Sequence, residues 1–116
     1  MNHEQRELED WRAAMVSDLE GSDTRLATRA LLALTYDDPD RRAVEVILLR
    51  QISPEVDDQV RALAVTCMGH IGRIHQAVSV DVVNCLEGLL NDPILGGRAE
   101  DALDDIRSFV RGKLDL

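Results

Sequence analysis

Apolar residues recur at steps of three and four along most of the chain, and no stretch alternates with the two-residue period of a strand. This spacing predicts six helices. The first runs from about His3 to Glu20, with Leu8, Trp11, Met15 and Leu19 on one face, and Gly21 ends it. Ser22 or Asp23 caps a second helix, to about Tyr36, whose face is Leu26, Ala27, Ala30, Leu31 and Leu34. Asp37-Asp38-Pro39-Asp40 is a turn and a fresh start, with a carboxylate ahead of a proline at the first helical position. The third helix runs to about Gln51 with Val44, Ile47 and Leu48 inward.

Ser53-Pro54-Glu55 repeats that start signal. The fourth helix is predicted from Pro54 to about Ile71, carrying Val56, Val60, Leu63, Ala64, Cys67, Met68 and Ile71, with Gly72 stopping it. Arg73 to Val78 reads as a loop. The fifth helix starts at Ser79 or Asp81 and reaches Leu90, with Val82, Val83, Leu86 and Leu89 inward. Asn91-Asp92-Pro93 breaks it. The sixth runs from about Gly97 to Gly112, with Ala99, Ala102, Leu103, Ile106, Phe109 and Val110 inward.

A repeat lies within this pattern. A small residue, another three later, a large aliphatic next and another three beyond occur as Ala27, Ala30, Leu31, Leu34; as Ala64, Cys67, Met68, Ile71; and as Ala99, Ala102, Leu103, Ile106. The small residues let neighbouring helices approach, and the large ones fill the seam. In the fourth helix, Val60-Arg61, Ala64, Met68-Gly69 and Ile71-Gly72 resemble the helix pattern of HEAT-like repeats of the phycobilisome-lyase type. Thr24 and Gly96 stand where that family has the arginine of the repeat; Arg25 and Arg98 lie one and two positions later. The first and third units are therefore degenerate, as terminal units are.

The resemblance implies an all-α fold, a short α-solenoid of about three HEAT-like helix pairs. A six-helix bundle is the alternative. The whole chain, 1–116, is then one domain: an N-terminal capping helix at 1–21 and repeats at 22–53, 53–92 and 92–112. A solenoid binds through a stacked face. The second helix of each pair, here the third and fifth, is expected to line it. The candidate binding residues are Arg41, Arg42, Glu45 and Arg50 on the third helix and Asp81, Asn84 and Glu87 on the fifth.

Composition narrows the role. The 116 residues fit one domain, and 45% hydrophobic with 30% charged is a globular mix. The net charge is −9, against which nucleic acid or an anionic membrane is a poor partner. The surplus sits at the ends: residues 1–40 carry −6, 41–80 carry +1 and 81–116 carry −4. Asp101, Asp104 and Asp105 join the candidate binding residues on this ground. Met1 to Asp10 is polar and acidic, so no signal peptide is expected. Two cysteines, Cys67 and Cys85, make no disulfide scaffold, and a cytoplasmic protein with reduced thiols is the expectation.

Catalytic chemistry finds little footing. His3-Glu4 matches one doublet of the iron-binding hydroxylases built on HEAT-like repeats, which need several. Cys67, His70 and His75 surround Gly72, but Cys67 occupies an inward repeat position, so no metal and no cofactor are expected. The carboxylate clusters read as helix starts and solvated faces. What remains is a non-enzymatic protein-binding module. Its sharpest form is an immunity-type inhibitor of a basic protein such as a bacterial toxin. A regulatory or scaffold subunit and an accessory lyase-like HEAT protein are the alternatives.

Ala64→Glu tests the register. A charge at this seam position is buried unpaired, which costs several kcal/mol against a stability of about 5–15 kcal/mol. The variant is expected to be unfolded or nearly so; a melt within a few degrees of the parent would show the register to be wrong.

Overall fold

Four of the six helices among the described residues begin where a carboxylate or amide side chain covers the free backbone amides of a first turn. The computed structural model describes residues 2–111. Helix α1 spans His3–Glu20 behind a reciprocal Asn2/Gln5 cap. Asp23 receives the amides of Arg25 and Leu26 at the start of α2, Thr24–Asp37. Asp40 receives Ala43 at the start of α3, Arg41–Arg50. Asp57 receives Gln59 and Val60 at the start of α4, Asp58–His75. Helix α5 is Val80–Gly88, and α6 is Gly96–Phe109. Asp92 holds the amides of Ile94 and Leu95 in the turn before α6. The fold is all-helical, with no β-strand among the described residues.

Several boundaries differ from the sequence reading: α5 ends at Gly88 rather than Leu90, and α6 ends at Phe109, short of the expected Gly112, which lies outside the described residues. The cap of α3 is Asp40, because Asp38 is drawn into a buried ion pair instead. Pro54 does not open α4. Residues 51–57 form a turn in which the Ser53 hydroxyl donates to the Glu55 carboxylate, and Arg61 Nε reaches back to the Ile52 carbonyl at 3.2 Å. Gly72 does not stop α4, which continues one more turn, so Arg73 to His75 are helical rather than loop. The helix ends at Gln76, whose φ of 54° is the left-handed conformation of a helix C-terminus, with its amide on the Gly72 carbonyl.

The helices form two layers. In one, α4 lies between α2 and α6 and packs along both. In the other, α1 lies on α2, α3 on α4 and α5 on α6. The molecule is a slab of 42 × 35 × 18 Å. That thickness is about two helix diameters. All twelve residues of the repeated pattern are buried, none more than 5% exposed. Two positions predicted inward, Leu26 and Phe109, are exposed instead. Leu26 lies about 100° around α2 from its buried neighbour Ala27, and Phe109 is the last residue of α6.

Helices α4 and α6 cross unusually closely. A Cβ on Gly69 would stand 2.9 Å from the Cα of Ala102, and one on Gly72 would stand 2.9 Å from Ile106 Cγ1. Glycine is needed in mid-helix here for its size, despite a helix-propensity cost of about 1 kcal/mol. Gly69→Ala is therefore expected to lower stability by about 1–3 kcal/mol, because the neighbour is backbone and the helices must part. Gly97→Ala, with nothing within 4 Å of the new methyl, is the control and should leave stability equal or slightly raised. Denaturant titration of the two variants distinguishes crowding from propensity. A stabilised Gly69→Ala would refute the close crossing.

Candidate functional site

The sequence places charged residues at helix starts and on solvated faces, and for four of them the structure does otherwise. Glu45, a candidate binding residue, is only 3% exposed. Its Oε2 accepts from Arg41 Nη1 at 2.7 Å and from the backbone amide of Ser79 at 3.0 Å. It thus fixes α3 to the first turn of α5, where Ser79 makes no side-chain cap of its own. Arg41 is half-buried beside it. Neither lies on the open surface expected for it, because a buried carboxylate needs both a cation and an amide to offset lost hydration.

Asp38 is the second buried carboxylate, its side chain fully covered. Arg12 of α1 grips it with both arms of the guanidinium, Nε to Oδ2 at 2.6 Å and Nη2 to Oδ1 at 2.8 Å. The Asp40 amide donates to Oδ1 at 2.9 Å. Burial pushes the Asp38 pKa up, but the Arg12 fork and the Asp40 amide outweigh it, and the carboxyl titrates below its ordinary value of 3.8.

Asp105, expected exposed, is half-buried along the α4–α6 seam, 3.3 Å from where a Gly69 Cβ would stand. The other candidates are exposed: Arg42 and Arg50 on α3, Asp81, Asn84 and Glu87 on α5, and Asp101 and Asp104 on α6. Asp104 pairs with Arg107 at 3.1 Å. These residues do not converge on one site. They spread over the outer surfaces of three helices.

The metal-type residues are also placed. His3 Nε2 meets Glu7, not Glu4, at 2.8 Å in the open. Cys67 is buried and its thiol is pushed up to about 11 by that burial. His70 stacks obliquely on Tyr36 at 5.6 Å, and its Nδ1 lies 3.0 Å from Arg73 Nη2. Partial burial, then Arg73, lower the His70 pKa. His75 closes α4 with its Nε2 buried and without a hydrogen-bond partner. No group of three or more His, Cys, Asp or Glu stands in metal-binding arrangement among the described residues. No helix among them is long and apolar enough to cross a membrane.

One feature escapes the sequence reading. Helices α1 and α3 barely touch, and a groove of about 540 Å³ runs between them. Ala13 and Val16 line it from α1, and Ala43, Val46 and Ile47 from α3. Glu9 and Arg12 stand on one rim and Arg50 on the other. The signal available in the sequence is Val46, an aliphatic residue between Arg42 and Arg50 at steps of four on the outward side of α3.

No family model matches the chain, and no characterised protein or solved structure is detectably similar to it.

The Arg12–Asp38 pair yields an asymmetric expectation. Arg12→Ala leaves a wholly buried carboxylate without its cation and should cost about 3–5 kcal/mol. Asp38→Ala leaves an arginine already 20% exposed, free to turn to water, and should cost less. Because Asp38 titrates lower when folded, the pair stabilises fully above about pH 4 and is lost as pH falls through the folded pKa. Urea melts from pH 2 to pH 7 should show this acid limb in the parent and a shallower one in Asp38→Asn. Equal limbs would remove the pair from the account.

Proposed function

We propose that the chain is a non-catalytic protein-binding module that docks on a protein with a basic surface. A short α-solenoid of HEAT-like pairs is the architecture this reading adopts. Three repeated patterns buried in α2, α4 and α6, with a second layer of helices laid on them, support it. The observation that carries the partner's charge is the distribution of exposed acids. Glu4, Glu7, Glu9, Asp10 and Glu20 are exposed on α1, and Glu100, Asp101 and Asp104 on α6. Even against the exposed Arg6 on α1 and Arg98 and Arg107 on α6, both ends of the stack keep an excess of negative charge, α1 the larger, which steers cationic surfaces toward it.

An immunity-type inhibitor of a basic toxin is the sharpest form of this reading, by fold-level analogy. A scaffold subunit fits the same surface. An accessory lyase-like role rests on the repeat resemblance alone.

The test is capture of the partner from the native host, with mass-spectrometric identification and kinetics on the purified pair. The partner should have a basic face. Its association should slow as salt rises from about 0.1 M to about 1 M and the Debye length shrinks from about 10 Å to about 3 Å. Glu100→Lys, Asp101→Lys and Asp104→Lys together should slow association by about tenfold and leave the melt unchanged, since all three side chains are exposed. Asp105 is left native because it is half-buried. A partner whose association ignores both salt and the triple change would overturn the electrostatic reading.

A further inference from the structure

The groove between α1 and α3 is a gap in a layer of helices. Each of its walls is held by something else: α1 by α2 and Asp38, α3 by α4 and the Glu45 link to α5. Its lining is apolar and small. Val46 is 50% exposed and Ala13 is also exposed, so the floor faces water in this chain alone. Glu9 to Val16 on α1 rises about 10 Å, or two helical turns. Small residues on both walls let a third helix come close, and Val16, Val46 and Ile47 give its side chains apolar surface.

The walls carry opposite charge. The α1 wall has Glu9 and Arg12 at the groove, but the Arg12 guanidinium is turned onto Asp38 and offset by it, which leaves Glu9, with Glu20 exposed on the same helix, as its open charge. The α3 wall has Arg50 at the groove and Arg42 two turns before it on the exposed row through Val46. An entering helix therefore meets acid on one flank and base on the other.

We infer that this groove seats a short amphipathic helix of a partner protein: two to three turns, an apolar stripe downward, a cationic flank along α1 and an anionic flank along α3. The inference rests on the protein-binding reading above and names the segment of the partner that binds. Burial of the stripe supplies affinity, and the two flanks supply selection, because a like charge on either wall is penalised.

The probes are three synthetic 15-residue helical peptides with the same leucine stripe. One has lysine on one flank and glutamate on the other, one has lysine on both, and one has glutamate on both. Fluorescence anisotropy at low salt should give the mixed peptide a Kd below about 100 µM, at least about threefold tighter than either single-sign peptide. Arg50→Glu reverses the charge that lines the groove from α3 and should shift the preference toward the all-lysine peptide. Val46→Arg should abolish binding of all three, and its circular dichroism and melt should match the parent because the residue is half in solvent. No binding at about 1 mM, equal Kd for the three peptides, or binding indifferent to Val46→Arg would overturn the inference. The two readings separate cleanly. A captured host partner whose affinity ignores Val46→Arg removes the groove and keeps the protein-binding reading. Peptide binding as described, with a captured host partner whose association ignores both salt and the Glu100, Asp101 and Asp104 changes, keeps the groove and removes the basic-surface reading.

Discussion

The close crossing of α4 and α6 is the constraint on which the other placements depend. Where Gly69 faces the backbone of Ala102, the two helices stand nearer than any side chain larger than hydrogen allows. That approach lets Ala64, Cys67, Met68 and Ile71 sit in full burial in the middle of the molecule while α2 closes the opposite side. Dispersion and apolar burial act together in such a seam, and both fall off sharply if the helices separate by even a fraction of an ångström. The buried centre of this three-helix layer is largely apolar, with polar links such as Arg98 to Thr66 and Arg73 to Tyr36 at its margins. It provides the floor on which α1, α3 and α5 are laid.

Those outer helices are located differently. Each has an apolar underside, but their lateral positions are set by polar links. The Arg12 fork ties α1 to the end of α2, and Glu45 ties α3 to the start of α5. A hydrogen bond fixes position more sharply than a greasy contact does, because its strength depends on angle as well as distance. Helices α1 and α3 meet near Asp38, which accepts from both Arg12 and the Asp40 amide at the start of α3, and beyond that point each is pinned toward a different partner. The groove between them follows from that division, and so does its mixed rim, since the pinned helices bring opposite charges to it.

Much of this was legible in the chain. The helical spacing, the twelve seam positions and the cap at Asp23, one of the two offered for the second helix, need only local rules, and the structure agrees with each. The failures have a common cause. Gly72 reads locally as a stop, but its smallness is used against Ile106 of another helix. Asp38 and Glu45 read locally as solvated, but partners 26 and 34 positions away cover them. Leu26 and Phe109 follow the apolar pattern, yet nothing packs over them. The candidate residues Arg42, Arg50, Asp81, Asn84, Glu87, Asp101 and Asp104 were placed on the surface correctly. The groove depends on the distance between two helices that hardly touch, which no local pattern encodes.

The attachment of α1 has a practical consequence. This helix lies against α2 and contributes one fully buried residue, Leu19. For its 18 residues it buries little outright, and much of its hold on the stack is the Arg12 fork on Asp38. It also carries Trp11, the single tryptophan of the chain, half-buried on its inner face. The protein thus contains a natural optical gauge at this joint. Tryptophan emission follows the lifting of one helix, whereas far-ultraviolet ellipticity follows all six. Wherever the two signals part company along a denaturation curve, the interval between them measures how independently that joint opens.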